Sequence, residues 1–153
     1  MSNDQAGFSN ELQLVSFILG QEEYALDILL VQEIIRMLRI TRVPRAPHYI
    51  EGVVNLRGNV IPVFDLHRRF GLSERVNSER TRIIVVKVQE ITAGLVVDGV
   101  SEVLRLPQAA VEPVSSLVTA VDTDYIQGIG KKDNRLLIML NINRVLGIEG
   151  LDY

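Results

Sequence analysis

YIEGVVNLRGNVIPVFDLHRRFG, Tyr49 to Gly71, is written a second time in the chain, without a gap, as YIQGIGKKDNRLLIMLNINRVLG, Tyr125 to Gly147. Tyr49, Ile50, Gly52, Arg68 and Gly71 meet identical residues 76 positions later. Between these anchors apolar residues face apolar residues: Val60, Ile61, Val63 and Phe64 stand against Leu136, Leu137, Met139 and Leu140. Upstream the match loosens, with Asp27 answering Asp98, and Val31, Glu33 and Ile34 answering Val100, Glu102 and Val103. Two similar halves in tandem, not a solenoid of many repeats, account for this pattern.

The duplicated segment predicts a hairpin followed by a short helix. Val53 to Leu56 turns through Arg57-Gly58-Asn59 into Val60 to Phe64, and residues 127–130 turn through Lys131 to Asn134 into Leu136 to Leu140. Asp65 and Asn141 then stand where an N-cap belongs, and Gly71 and Gly147 where a left-handed residue ends a helix. Working outward, Leu12 to Leu19 and Tyr24 to Leu26 flank the turn-like Gly20-Gln21-Glu22. Ile83 to Val88 and Ala93 to Val97 repeat that hairpin around Gln89-Glu90. Val31 to Leu38 fits a helix by spacing or a strand by its β-branched content. Its counterpart Val100 to Leu106 alternates strictly and stops at Pro107, which favours a strand in both places.

Five short strands and one short helix per half predict a mainly β protein of two similar five-stranded barrels packed together, since closure removes exposed edges. The expected limits are a flexible tail over residues 1–10, a first half over 11–72, a connector over 73–82 and a second half over 83–148, with strand exchange between the halves allowed. Residues 107–124, with two prolines, read as a structured excursion from the second half.

With 153 residues and 47% hydrophobic content the chain can bury a core without staples, and it has no cysteine. The start lacks a basic segment followed by an apolar stretch, and no apolar run approaches the ~20 residues of a membrane span. A cytoplasmic location is expected. The net charge of -3 hides an uneven distribution: residues 1–35 carry six acids and no Lys or Arg, whereas residues 36–82 carry ten Arg against four acids. Arg36, Arg39, Arg42 and Arg45 recur every third residue with no acid between them, as a solvated edge or a partner-facing basic strip.

Little in the sequence suggests catalysis. His48 sits beside a proline, and His67 falls in the first turn of a helix where a surface or capping role is expected. Asp27 and Asp98 are repeat equivalents, as structural turn residues would be. The glycines lack phosphate-loop or dinucleotide spacing. No enzyme activity, cofactor or metal is expected. A single-strand nucleic-acid barrel is the rival reading. The acidic pI of 5.4 and only eight Phe and Tyr, with no Trp, weigh against it.

The residues from about Glu11 to Gly147 resemble the CheW family. The marks come in that family's order: FILGQEEY from Phe17, VQEI from Val31, ITRVP from Ile40, YIEGVVNLRG from Tyr49 and IPVFDL from Ile61. The resemblance implies a non-catalytic adaptor joining the cytoplasmic tips of chemoreceptors to the regulatory domain of the histidine kinase CheA. It also implies two packed five-stranded barrels and no nucleic-acid partner. Receptor contact would fall on Val31, Glu33, Ile34, Gly52, Asn55, Leu56, Arg57 and Val103, with the kinase-facing surface left unassigned. Gly52 reads equally as structural, since Gly128 repeats it, and Val31 and Val103 read equally as core. Arg57, Asn55 and Leu56 meet Asp133, Lys131 and Lys132 in the second half. Their identities are therefore not required by the barrel, and they stand out as candidates for function.

Overall fold

The computed structural model describes residues 10–114 and 121–148. Asn10 apart, the tail expected over residues 1–10 lies outside them, as do residues 115–120 of the expected excursion. The strands are β1 (Glu11–Leu19), β2 (Glu22–Asp27), β3 (Val31–Arg36), β4 (Ile50–Leu56), β5 (Asn59–Asp65), β6 (Arg82–Val88), β7 (Ile91–Val97), β8 (Gly99–Pro107), β9 (Val111–Glu112), β10 (Ile126–Lys132) and β11 (Arg135–Leu140). The helices are α1 (Leu66–Arg69) and α2 (Ile142–Leu146). The protein is mainly β. Val31 to Arg36 is a strand, as its counterpart β8 is.

Local chemistry explains the turns. Leu56 pairs with Asn59 and Lys132 with Arg135, leaving two-residue loops whose residues all have positive φ: 53° and 88° at Arg57 and Gly58, 49° and 68° at Asp133 and Asn134. These are the primed turns whose twist matches that of the strands they join. Asp65 and Asn141 cap α1 and α2, each side chain accepting from the backbone N–H three residues on, of Arg68 and of Arg144. Gly71 and Gly147 follow at φ 72° and 74°.

The strands form two sheets, ordered β8-β1-β2-β11-β10-β9 and β3-β6-β7-β5-β4. Neither sheet is built from one half of the sequence. The β1–β2 hairpin joins strands of the second half through parallel pairing of β2 with β11, Tyr24 opposite Ile138. The β6–β7 hairpin joins the first half through parallel pairing of β7 with β5, Gly94 opposite Val63. With β9 set aside, the two orders are the same once each strand is replaced by its repeat equivalent. The halves have exchanged their first hairpins.

The strand pairing does not close either sheet, which refines the expected barrels. Instead the ends of each order are drawn together by side chains. Arg57, at the β4–β5 turn, forms an ion pair with Glu33 of edge strand β3. In the other sheet Arg135 of β11 pairs with Glu102 of edge strand β8 at 2.5 Å, and Leu106 of β8 lies so close to Gly130 of β10 that a Cβ there would stand 2.5 Å from it. Leu14, Leu104, Leu106 and Leu137 pack within the first sheet, and Val54, Val63, Ile83 and Val85 within the second. The largest cluster lies between the sheets, joining Phe17, Tyr24 and Ile138 to Phe64, Ile84 and Leu95.

Polar side chains enclosed by the fold have defined partners. His67, expected at the surface, is only 4% exposed: Nδ1–H donates to the Ser73 carbonyl at 2.7 Å, and Nε2 lies 2.9 Å from Asp98 Oδ2. That carboxylate oxygen also accepts from the Gly20 N–H at 2.7 Å, so Asp98 ties the start of β8 to both α1 and the β1–β2 turn. The single turn of α1 is tucked against the end of β7 and has no outer face at this position. Arg75 of the connector is similarly enclosed, donating from Nη1 to Asp65 Oδ2 at 2.9 Å and to Glu51 Oε1 at 3.1 Å.

Asp65 therefore carries a load that its equivalent Asn141 does not. Asp65→Ala removes the cap and one of the two carboxylates that hold the enclosed Arg75 guanidinium, and is expected to cost about 3 kcal/mol, against about 1 kcal/mol for the lost cap in Asn141→Ala. Urea unfolding of the two variants measures the difference, and equal losses would contradict this account.

Candidate functional site

The β4–β5 turn gathers four of the eight candidate receptor contacts. Asn55 Oδ1 accepts from the Gly58 N–H at 2.9 Å, so this side chain sets the turn. Leu56 is half-buried and packs against the core inside its own sheet. Arg57 projects from the tip with its side chain 68% exposed, and its guanidinium pairs with Glu33, whose side chain is 29% exposed. Glu33 and Arg57 are thus one feature.

Gly52 is explained by the backbone. A Cβ there would stand 2.2 Å from the Thr41 carbonyl oxygen, which itself accepts from the Val53 N–H at 2.8 Å, while the Thr41 N–H donates to the Val53 carbonyl. The segment after β3 is strapped to β4 across this glycine. Gly128 serves the same purpose, with Val111 and Glu112 of β9 in the place of Thr41.

The repeat sets Arg57 against Asp133, and on identity alone the arginine is free of any demand from the fold. The structure corrects this. Arg135, two positions beyond Asp133, pairs with Glu102, the equivalent of Glu33. Both halves pin a hairpin to an edge strand by an Arg–Glu pair, reached from different positions of the hairpin. Arg135 also holds Glu23 at 2.5 Å. Burial pushes the Glu23 carboxyl up, and hydrogen bonds from Arg135 and Ser16 outweigh it, holding the group below the ordinary carboxylate range.

The apolar candidates separate. Ile34, 40% exposed, lines a groove of about 300 Å³ between the sheets, together with Ile18, Gly99, Val100, Ser101, Arg80 and Arg82. Val31 is half-buried and packs on the core between the sheets, which settles its burial in favour of packing. Val103 is 57% exposed on β8 but does not line the groove; its neighbour Val100 does. Arg80 and Arg82 both fall in the connector expected over residues 73–82, and the structure places Arg82 at the start of β6. Their alternation with Thr81 at the start of an apolar strand was the only sign that they share a face. Among the described residues no group of three or more His, Asp and Glu side chains is placed to hold a metal ion, and no helix is long and apolar enough to cross a membrane.

Two outcomes follow from this geometry. Gly52→Ala forces the strap off β4 and is expected to cost about 2 kcal/mol, as overpacking does, with faster amide exchange at Thr41 and Val53 as its local signature; normal protection there would contradict the steric account. Because the folded Glu23 titrates below its unfolded value, its ionised form stabilises the fold. The advantage over Glu23→Gln should be complete above about pH 4.5 and vanish as pH falls through the folded value, read by thermal melting at a series of pH values.

The family described as CheW-like domain matches residues 13–149. Chemotaxis protein CheW of Helicobacter pylori is 38% identical over 88% of this chain and 81% of its own, and that of Klebsiella aerogenes is 38% identical over 94% and 87%. The crystal structure of scaffolding protein TtCheW from Thermoanaerobacter tengcongensis superposes with a TM-score of 0.83 at 40% identity, covering 91% of this chain and 90% of that one. With the exchanged hairpins and paired sheets already in place, this likeness along nearly the whole length makes the chain a member of the CheW family.

Proposed function

We propose that this protein is a non-catalytic adaptor of bacterial chemotaxis, coupling chemoreceptors to the histidine kinase CheA within signalling arrays. The observation that carries the reading is its 40% identity and shared fold with a scaffolding protein over nine-tenths of the chain. It works in the cytoplasm, recruited to the receptors at the inner face of the membrane.

On this reading the receptor side comprises Glu33, Ile34, Asn55, Leu56 and Arg57, with Val31, Gly52 and Val103 as supporting positions. Ile34 and the groove beside it suit a helix that lays down an apolar stripe. The Arg57–Glu33 pair offers a charged contact at the rim. Gly52 acts through the strap it permits, and Asn55 through the turn that presents Arg57. A protein without chemistry of its own changes kinase output only by binding the two kinase states with different free energies. Modest individual contacts then gain from the multivalency of an array.

Reconstitution tests the reading. Kinase activity in the presence of receptor fragments is expected to depend on this protein, and kinase that responds to receptors equally well without it would overturn the proposal. Arg57→Glu places a second carboxylate beside Glu33 and is expected to weaken receptor binding about tenfold, near 1.4 kcal/mol, while the far-ultraviolet spectrum and melting cooperativity stay intact. Undiminished binding would remove Arg57 from the surface.

A further inference from the structure

Arg80 and Arg82 line the groove between the sheets, and Arg36 stands beside Arg82 on the neighbouring strand. Arg36 of β3 is directly opposite Arg82 of β6 in the antiparallel register, so both side chains leave the same face of the sheet. Ile34 and Ile84, the next pair on that face, mark it as the side turned toward the other sheet, because Ile84 belongs to the core between the sheets. Arg80 and Arg82 line the groove with Ile34 and Val100, and Arg80 packs against the start of β8, 3.7 Å from where a Cβ on Gly99 would lie.

Like charges directly opposite one another in an antiparallel pair are destabilising. Here nothing offsets them. Arg82 donates from Nη1 to the backbone carbonyls of Glu79 and Thr81, and none of the three guanidinium groups has a carboxylate partner among the described residues. By contrast Arg57, Arg75, Arg105 and Arg135 all reach one. The result is a groove that sets Ile34 and Val100 beside positive charge with no carboxylate partner among the described residues.

We propose that this groove selects its partner by a carboxylate: the bound helix carries an Asp or Glu beside its apolar stripe, received by Arg36, Arg80 and Arg82 while the stripe lies on Ile34 and Val100. The inference rests on the coupling reading, with a receptor tip as the occupant, and adds a charge requirement to it. Arg57 stands at the hairpin tip and does not line this groove, so the two contacts are separable.

The test uses the full chain and a soluble coiled-coil receptor-tip fragment, with affinity read by anisotropy at low and high salt and stability read by urea unfolding. Arg36→Glu places a carboxylate opposite Arg82 and should raise the unfolding midpoint while lowering affinity about tenfold at low salt, the loss shrinking as salt screens the contact. Arg80→Glu should lower affinity similarly with the midpoint unchanged. Restoration of Arg80→Glu binding by one acidic-to-Lys change in the fragment would identify the selected residue. If both variants bind normally while Arg57→Glu does not, the charge requirement is wrong and the coupling reading stands. If the native protein does not bind the fragment at all, or binds a single-stranded oligonucleotide in its place, both fall.

Discussion

Each sheet is completed by a hairpin from the other half of the chain, and the rest of the structure depends on the two parallel pairings that make this so. β2 lies beside β11 and β7 beside β5; without them each sheet would fall into two pieces, β8-β1-β2 apart from β11-β10-β9 and β3-β6-β7 apart from β5-β4. The exchange also buries the strongest apolar strands twice. Ile84, Val86 and Leu95 face the core between the sheets, while Ile83, Val85 and Val96 face the core within their own. Strands covered on both faces read as continuous apolar runs, as β6 and β7 do, and they cannot be removed from one sheet without opening the other. The two halves share one core between the sheets, although the sequence is written in tandem.

Polar contacts then fix what the exchanged strands leave adjustable. Arg69 of α1 donates to the carbonyls of Val145 and Arg144 at the end of α2, at 2.8 and 3.1 Å, and its guanidinium stands 4.0 Å from the centre of the Tyr49 ring and 5.2 Å from that of Tyr125. These tyrosines are repeat equivalents, whereas Arg69 is not repeated: Val145 takes its place. One unrepeated arginine thus joins two repeat-equivalent elements. The Arg–Glu pairs at Glu33 and Glu102 behave differently, since each half makes its own and each draws the free edge of its sheet toward a hairpin. Edges held in this way are less available for unwanted strand addition.

The candidate residues divide into those that shape the surface and those that are exposed on it. Gly52, Asn55 and Val31 are accounted for by a close backbone approach, a turn hydrogen bond and core packing. Arg57 and Ile34 remain exposed, and the groove that holds Ile34 is flanked by edge strands of opposite sheets. Strands of both interlocked sheets supply the walls of that groove.

Sequence by itself determined the element types, the tandem repeat, both hairpin turns and both helix caps. Each is set by neighbours within a few residues: the period of apolar side chains, the side-chain oxygens of Asp65 and Asn141, and the permissive glycines. Family membership was legible in the ordered motifs for the same reason. Only the tertiary structure decided which hairpin enters which sheet, because similar repeats offer each β5-type strand two comparable partners and the choice is made by burial across the whole molecule. It also decided that His67 is enclosed, that Arg135 stands in for Arg57 in the second half, and that Val100 and not Val103 lines the groove. Those outcomes depend on distances between residues far apart in the chain, and a bulge between Ser16 and Phe17 in the β1–β8 pairing is enough to shift the register by which β8 presents its side chains.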